Sequence, residues 1–444
     1  MVLKRRKFLA GVSMGLAGGL VGFGRKPGRW RKADHSYKAR QPLGTARNLI
    51  FIHLFGAPSH VDTFDLKPGP FTPNYFGVND LGGGWLWPSG LMPILAGMRD
   101  RFSILRSISA VEAVHTRAVY HMLTSFQENP ATIRDVPHFA SVISYKLAAE
   151  AGAGLAMPAV MMVGRNPAGN GFLPLEHRGV QLSEDGTLPF LSHPFEGGAD
   201  RLQLLSEYVE PLIGRSGAKT DQLNFQRQAR AMMENRELSQ LLGVSQDDNP
   251  SAITAFRRQC EAAVKVLAAD IGTRVFQLEL PGWDHHVGIY DRNRGQSLAT
   301  LCLAFDRGFS LLINELAALP ARSGSGTLLD ETLIVAMGEF GRTVGALNSG
   351  QGRDHFPYVI PAVFAGGGVR GGRLIGQSSA DGSYITDRGW SLGRQIGFHD
   401  LLATIYSALG IDWGESIRDD ESRRSFPILD PSFGPADHIT NLFL

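Results

Sequence analysis

Two periodicities alternate along this chain. Compact apolar runs, the pattern of strands buried on both faces, are separated by stretches whose apolar residues recur three and four apart, the pattern of helices packed on one side. Asn48–Phe55 predicts a first buried strand ending at Gly56, and Arg101–Arg106 a second. His115–Ser125 has helical spacing, with Val119 and Met122 on one face and Ala118 beside them. Val136–Ala151 predicts another helix and Ala159–Val163 another strand. Ala252–Asp270 predicts a helix, Val275–Leu280 a strand stopped by Pro281-Gly282, and Ser297–Leu319 a long amphipathic helix. Thr332–Met337 and Ile360–Ala365 predict strands, and Phe398–Leu409 a helix. Strands alternating with helices of this length imply an α/β fold, a three-layer α/β/α sandwich around a mainly parallel sheet. Such sheets collect their functional groups at the carboxyl ends of the strands.

The stretch from about 164 to 250 breaks this pattern. It opens rich in glycine and proline (Pro167, Gly169, Gly171, Pro174) and closes as a charged helix over Gln222–Leu242. It reads as an insertion or cap within an α/β domain spanning 46–444. The first 45 residues read as a signal and linker. Lys4-Arg5-Arg6-Lys7 precedes an uncharged stretch, Phe8 to Gly24, with six glycines among 17 residues. A membrane span needs about 20 mostly apolar residues, so this stretch is a poor one. Arg5-Arg6, one residue, then Phe8-Leu9 resembles a twin-arginine signal. That resemblance implies export through the Tat translocon to a periplasmic or extracellular location. An uncleaved signal would leave the chain tethered to the membrane.

Composition adds two exclusions. Hydrophobic residues are 43% and charged residues 19%, a globular balance that excludes a disordered chain. Two cysteines, Cys260 and Cys302, supply no disulfide framework. The net charge of +2 conceals an acidic body. Nine of the 44 basic residues fall within residues 1–32, which hold no acidic one, leaving 35 against 42 acidic residues, a net of −7. A nucleic-acid binder would show a basic surface instead.

Five polar clusters follow predicted strands: His60-Val-Asp62-Thr-Phe-Asp65, His115-Thr116, Trp283-Asp284-His285-His286, Gly338-Glu339-Phe340-Gly341-Arg342-Thr343 and Gly352-Arg353-Asp354-His355. Each alone has an ordinary explanation. An aspartate beside a glycine is usually a turn residue, and Glu339 could cap a helix or pair with Arg342. Their convergence on one sheet edge is what carries weight. Carboxylates and imidazoles are the ligands that Zn, Mn or Mg ions accept. The sequence Gly366-Gly367-Gly368, with Gly371-Gly372, lacks the ending of a phosphate-binding loop and reads as a turn between strands. His53, inside the first strand, reads as a satisfied core histidine. His121, His138, His177, His193, His399 and His438 show no convincing partner spacing.

At these residues the chain resembles the DUF1501 family. The matching stretches are Gly56-Ala-Pro-Ser-His-Val-Asp-Thr-Phe-Asp65-Leu-Lys-Pro68, Gly282-Trp-Asp-His-His286, Gly338-Glu-Phe-Gly-Arg-Thr343, Gly352-Arg-Asp-His355 and Ala365-Gly-Gly-Gly368. The family looks like a distant branch of the alkaline phosphatase and sulfatase superfamily. The resemblance implies an alkaline phosphatase-like core, a divalent metal and an alcohol nucleophile. Carried over by position, it implies metal ligands at Asp62 or Asp65, Asp284, His286, Glu339 and His355. It implies a nucleophile at His115-Thr116, where a helix amino terminus favours an oxyanion. Phe340 stands where the superfamily has a histidine, and His285 where the family commonly has threonine; the latter adds a ligand or fills a pocket. The sulfatase cysteine motif is absent.

Three functions follow as expectations. The first is an exported, metal-dependent hydrolase of small phosphoric or related esters. Asp62, Asp65, Asp284, His286, Glu339 and His355 would hold the metal, Thr116 would attack beside His115, and Arg342, Arg353 or Arg117 would hold the anionic group. The second is a non-catalytic binding or assembly protein of the cell envelope, for which the resemblance suggests a DUF1800-family partner. The third is a polysaccharide binder using Trp85, Trp87, Trp283, Trp390 and Trp413.

Overall fold

The run Asn-Leu-Ile-Phe-Ile-His has no polar residue between its ends, so it can hide only between two apolar layers. It forms β1 (Asn48–His53), and every residue of it is buried. Its side chains part to opposite sides. Leu49 and Phe51 enter one core with helices α1 (His115–Thr124), α2 (Phe139–Ala151) and α5 (Phe398–Ala408). Ile50 and Ile52 enter another with α3 (Ala252–Ala269) and α4 (Leu298–Ala318). Each such buried aliphatic or aromatic side chain contributes about 1.5–3 kcal/mol. Helices therefore cover both faces of the sheet, giving the expected α/β/α sandwich.

These observations come from a computed structural model, which describes residues 41–151, 157–188, 228–229, 231–232, 235–243, 250–419 and 424–443. All fall within one compact unit, Gln41–Leu444. The signal-like segment up to residue 40 and most of the insertion read at 164–250 lie outside the described residues. Of the charged helix read at 222–242, a helix at Arg236–Leu241 is described.

The remaining strands of the central sheet are β2 (Phe102–Ile108), β3 (Val160–Met162), β4 (Val180–Gln181), β5 (Val275–Glu279), β6 (Thr332–Met337), β7 (Ile360–Ala365) and β8 (Leu374–Ile375). They make one eight-stranded sheet in the order β8-β2-β7-β6-β1-β5-β3-β4. β1 runs parallel to both neighbours, β5 and β6. Only β7 runs antiparallel to its neighbours β2 and β6. The carboxyl ends of β1, β2, β5 and β6 thus share one edge with the amino end of β7. All five polar clusters begin at that edge. Glycines 366–368, all at positive φ, make the turn from β7 toward β8. Ser251 and Ser297 cap α3 and α4 by accepting from Thr254 N at 3.2 Å and Thr300 N at 3.1 Å. No helix among the described residues is long and apolar enough to cross a membrane.

Candidate metal centre

The centre forms where the loop after β5 meets the loop before β7. Residues 283–286 form no regular element: the N–H groups of His285 and His286 donate two residues back, to Trp283 O at 2.9 Å and Asp284 O at 3.2 Å, and the side chains part to different sides. Trp283 is buried in the core, and His285 turns inward to reach Gln296 O with Nε2 at 2.9 Å. His285 therefore fills a pocket. Asp284 and His286 face out together, with side chains 44% and 41% exposed. Gly56, at φ 103, lets the β1 loop press against this segment; a Cβ there would lie 2.6 Å from Asp284 N.

Three imidazoles converge on one carboxylate oxygen. Asp284 Oδ1 lies 3.3 Å from His115 Nε2, 3.1 Å from His286 Nε2 and 3.4 Å from His355 Nε2. His286 Nε2 and His355 Nε2 are only 2.9 Å apart. The other ring nitrogens all face groups that can only accept a hydrogen bond. His115 Nδ1 lies 2.5 Å from Glu339 Oε1, His286 Nδ1 2.9 Å from Asp354 Oδ1, and His355 Nδ1 2.6 Å from Ala113 O. Each Nδ1 must carry the proton. In the neutral ring each Nε2 then presents a lone pair. His115 Nε2 is buried and has no hydrogen-bond partner. The Arg342 guanidinium meets Asp284 Oδ1 and lies 3.5 Å from His286 Nε2, but the His115 and His355 lone pairs still face the carboxylate, a conflict that a bound cation would remove. Histidines that ligate metals are held in this way, with the far ring N–H on a carboxylate or carbonyl.

Glu339 stands one layer behind. It is fully buried, accepts from His115 and from Gly56 N at 3.1 Å, and meets His53 Nε2 at 3.3 Å. Burial by itself raises its pKa, but the hydrogen bonds from His115 and His53 outweigh this and hold it at about 2. His53 sits opposite Glu279 in the β1–β5 register, with Nδ1 3.3 Å from Glu279 Oε2. Burial lowers the His53 pKa, yet the two carboxylates prevail and lift it to about 9. The two glutamates on either side of His53 thus favour its protonated form. Asp284 is held at about 2, its partial burial outweighed by the hydrogen bond and charge of Arg342. The Phe340 ring packs against His115 and His355 at centroid distances of 4.7 and 4.5 Å, walling the two imidazoles.

The other nominated residues lie elsewhere or in other roles. Asp62 is buried and accepts from Ser59 Oγ at 2.5 Å, Tyr290 OH at 2.8 Å and Arg353 Nε at 2.7 Å. Asp65 is buried against Arg106, Lys67 and Ser378. Among the described residues neither belongs to the group around His115, Asp284 and His355 whose ligand atoms lie close enough to share an ion. Glu339 holds the far side of the His115 ring rather than facing the cluster's centre. Thr116 is exposed in the first turn of α1, next to His115. Arg342 is nearly inaccessible; it donates to Asp284 Oδ1 at 2.5 Å, to Ala57 O at 3.0 Å, to Arg353 O at 3.1 Å and to Gly56 O. Trp85, Trp87, Trp283 and Trp413 are buried in the two cores and offer no stacking platform. The sequence reading passed over Glu279 and took His53 for core. Their signal was a titratable residue closing each of two buried strands, Asn48–His53 and Val275–Glu279.

Residues 46–426 match the model of a family described as protein of unknown function, DUF1501. The chain belongs to this family. No relative among curated proteins matches its sequence. Among solved structures, it is similar to a protein in the alkaline phosphatase superfamily from Vibrio parahaemolyticus, with 13% identity over 84% of this chain and 69% of that one, at a TM-score of 0.40. It is also similar to the lipoteichoic acid synthase LtaP from Listeria monocytogenes, with 11% identity, 88% and 76% coverage and a TM-score of 0.41. A third likeness is to the C-terminal periplasmic domain of EptC from Escherichia coli in complex with zinc, with 10% identity, 89% and 90% coverage and a TM-score of 0.41.

Proposed function

We propose that this DUF1501 protein holds one divalent cation between His115, Asp284, His286 and His355, and hydrolyses phosphoric or related esters there. The observation that carries the cation is the proton bookkeeping of the three histidines, whose Nε2 lone pairs face one carboxylate oxygen. Charge supports the same reading. Four carboxylates, Asp284, Glu339, Glu279 and Asp354, are linked through the network to Arg342 and to a His53 whose protonated form the two glutamates favour. A divalent ion supplies the missing charge. Three imidazoles and a carboxylate suit Zn best, and Mn or Mg less well.

When bound, the cation supplies a positive charge that polarises an ester oxygen. The chain's own groups do the rest. Thr116 presents a hydroxyl at the amino end of α1, where unpaired backbone N–H groups favour an oxyanion. Glu339 keeps the His115 ring turned toward the site by holding its Nδ1 proton. Arg342 braces Asp284. The exposure of Asp284 and His286 opens the centre to solvent and substrate. Export through the twin-arginine route remains part of this proposal, as the Arg5-Arg6 motif suggests.

The test is turnover of a panel of aryl phosphate monoesters, phosphate diesters, phosphonates and sulfates by the full chain with and without added Zn, Mn or Mg. Cation-dependent hydrolysis, abolished in Asp284→Ala and reduced in Thr116→Ala, is expected. Equal turnover after chelation would refute the proposal.

A further inference from the structure

A cation at this centre attracts an anion, but the arginines that the sequence nominated to hold one are already engaged. Arg342 spends its donors on Asp284 and three backbone carbonyls inside the protein. Arg353 is buried and bonds Asp62, Tyr290 and the carbonyls of Thr343 and Gly345. Arg117 pairs with Glu112 at 3.0 Å.

Arg165 differs from all three. It lies three residues beyond β3, on the carboxyl edge of the sheet. Its backbone is pinned from two sides: the N–H donates to Glu279 Oε2 at 3.1 Å, and the carbonyl accepts from Gln277 Nε2 at 3.1 Å. Gly164, at φ 87, permits this approach, because a Cβ there would lie 2.2 Å from Glu279 Cδ. The guanidinium lies over the Phe55 ring at 4.4 Å. That ring in turn sits 5.7 Å from the His115 ring. Among the described residues no carboxylate or carbonyl bonds the Arg165 guanidinium, and the residue is exposed. A guanidinium held over an aromatic face by cation–π attraction leaves its N–H donors available to a ligand.

We infer that Arg165 is the anion-recognising residue of the centre, binding the oxygens of a tetrahedral oxyanion, phosphoryl or sulfuryl, held beside the cation. It is a specificity-determining residue, and the inference rests on the proposed cation site. It assigns the substrate class: an ester whose tetrahedral head keeps at least two free oxygens for the fork, as a monoester or diester of phosphate does.

The test uses the full chain loaded with Zn and titrated with inorganic phosphate, for the wild type, Arg165→Ala and Arg165→Lys. Zn affinity is measured on the same samples. Losing a charge-assisted bidentate pair is expected to weaken phosphate binding about 10- to 100-fold in Arg165→Ala. Lysine restores the charge but not the fork, so Arg165→Lys should recover only part of it. Zn affinity should stay within about threefold of wild type in both, since neither change touches the four ligands. Phosphate binding undiminished in Arg165→Ala would overturn the assignment. So would a parallel loss of Zn affinity, which would make Arg165 a structural support. A wild type that binds no cation would instead bring down the proposed function, and this inference with it.

Discussion

Replacing Glu339 with glutamine tests the link between the buried network and the cation site. Glu339 takes three donors: His115 Nδ1 and Gly56 N on Oε1, and His53 Nε2 on Oε2. Glutamine has the same shape but only one oxygen. If that oxygen stays toward His115 and Gly56, the NH₂ group faces His53, which must give up its Nε2 proton. If the amide flips, NH₂ meets two N–H groups, a worse conflict in a site with no access to water. The first arrangement therefore prevails. His115 keeps its tautomer, but it donates to a neutral oxygen and its Nε2 becomes a poorer ligand. Changing such a supporting group weakens metal binding about 10- to 100-fold, or about 1.4–2.7 kcal/mol. Competition with a chelating dye measures the Zn affinity directly. The nitrogen chemical shifts of His53 report whether it has lost its proton. Folded Glu339→Gln protein that binds Zn within about threefold of wild type would refute the reasoning.

Three further outcomes follow. Asp62→Ala should leave Zn affinity unchanged but lower the thermal midpoint strongly, because it strands the buried Arg353 guanidinium, a loss of about 3–5 kcal/mol; loss of one Zn equivalent would instead make Asp62 a ligand. His53 has a folded pKa raised to about 9 from 6.5, so its contribution is full below pH 6.5 and disappears as pH rises through 9. The cation-free protein should therefore lose on the order of 3 kcal/mol of denaturant stability across that window, and His53→Gln should flatten the loss; equal slopes in both would contradict it. Phe340→Ala should loosen the wall beside His115 and His355 and weaken Zn binding without changing its stoichiometry, as calorimetry would show; unchanged affinity would mean the ring serves packing alone.

Much of the fold was legible because its central strands are short and mostly apolar. Thr332–Met337 stands out between Glu331 and Gly338-Glu339, Ile360–Ala365 stops at a run of three glycines, and the ends of both agree to the residue. The edge strands Val180–Gln181 and Leu374–Ile375 carry no readable period, since two residues cannot show one. The site was legible in kind, because polar residues after parallel strands must share an edge. Its membership was not. Asp62 and Asp284 look alike in sequence and each meets an arginine; what separates them is that Asp62 is closed into the core with Arg353 and Tyr290, while Asp284 is half-exposed against three imidazoles. His53 and Glu279 become partners only through the β1–β5 register. Arg165 gave no signal, since only the missing partner in three dimensions sets it apart from any surface arginine.

Metal analysis by mass spectrometry on the full chain purified from a host that exports it tests the central claim most directly. Wild-type protein should carry about one divalent cation per chain, and an Asp284→Ala/His286→Ala variant, folded by circular dichroism, none. A wild type that is metal-free and takes up no Zn, Mn or Mg on titration would contradict the account, as would a double variant that keeps its ion.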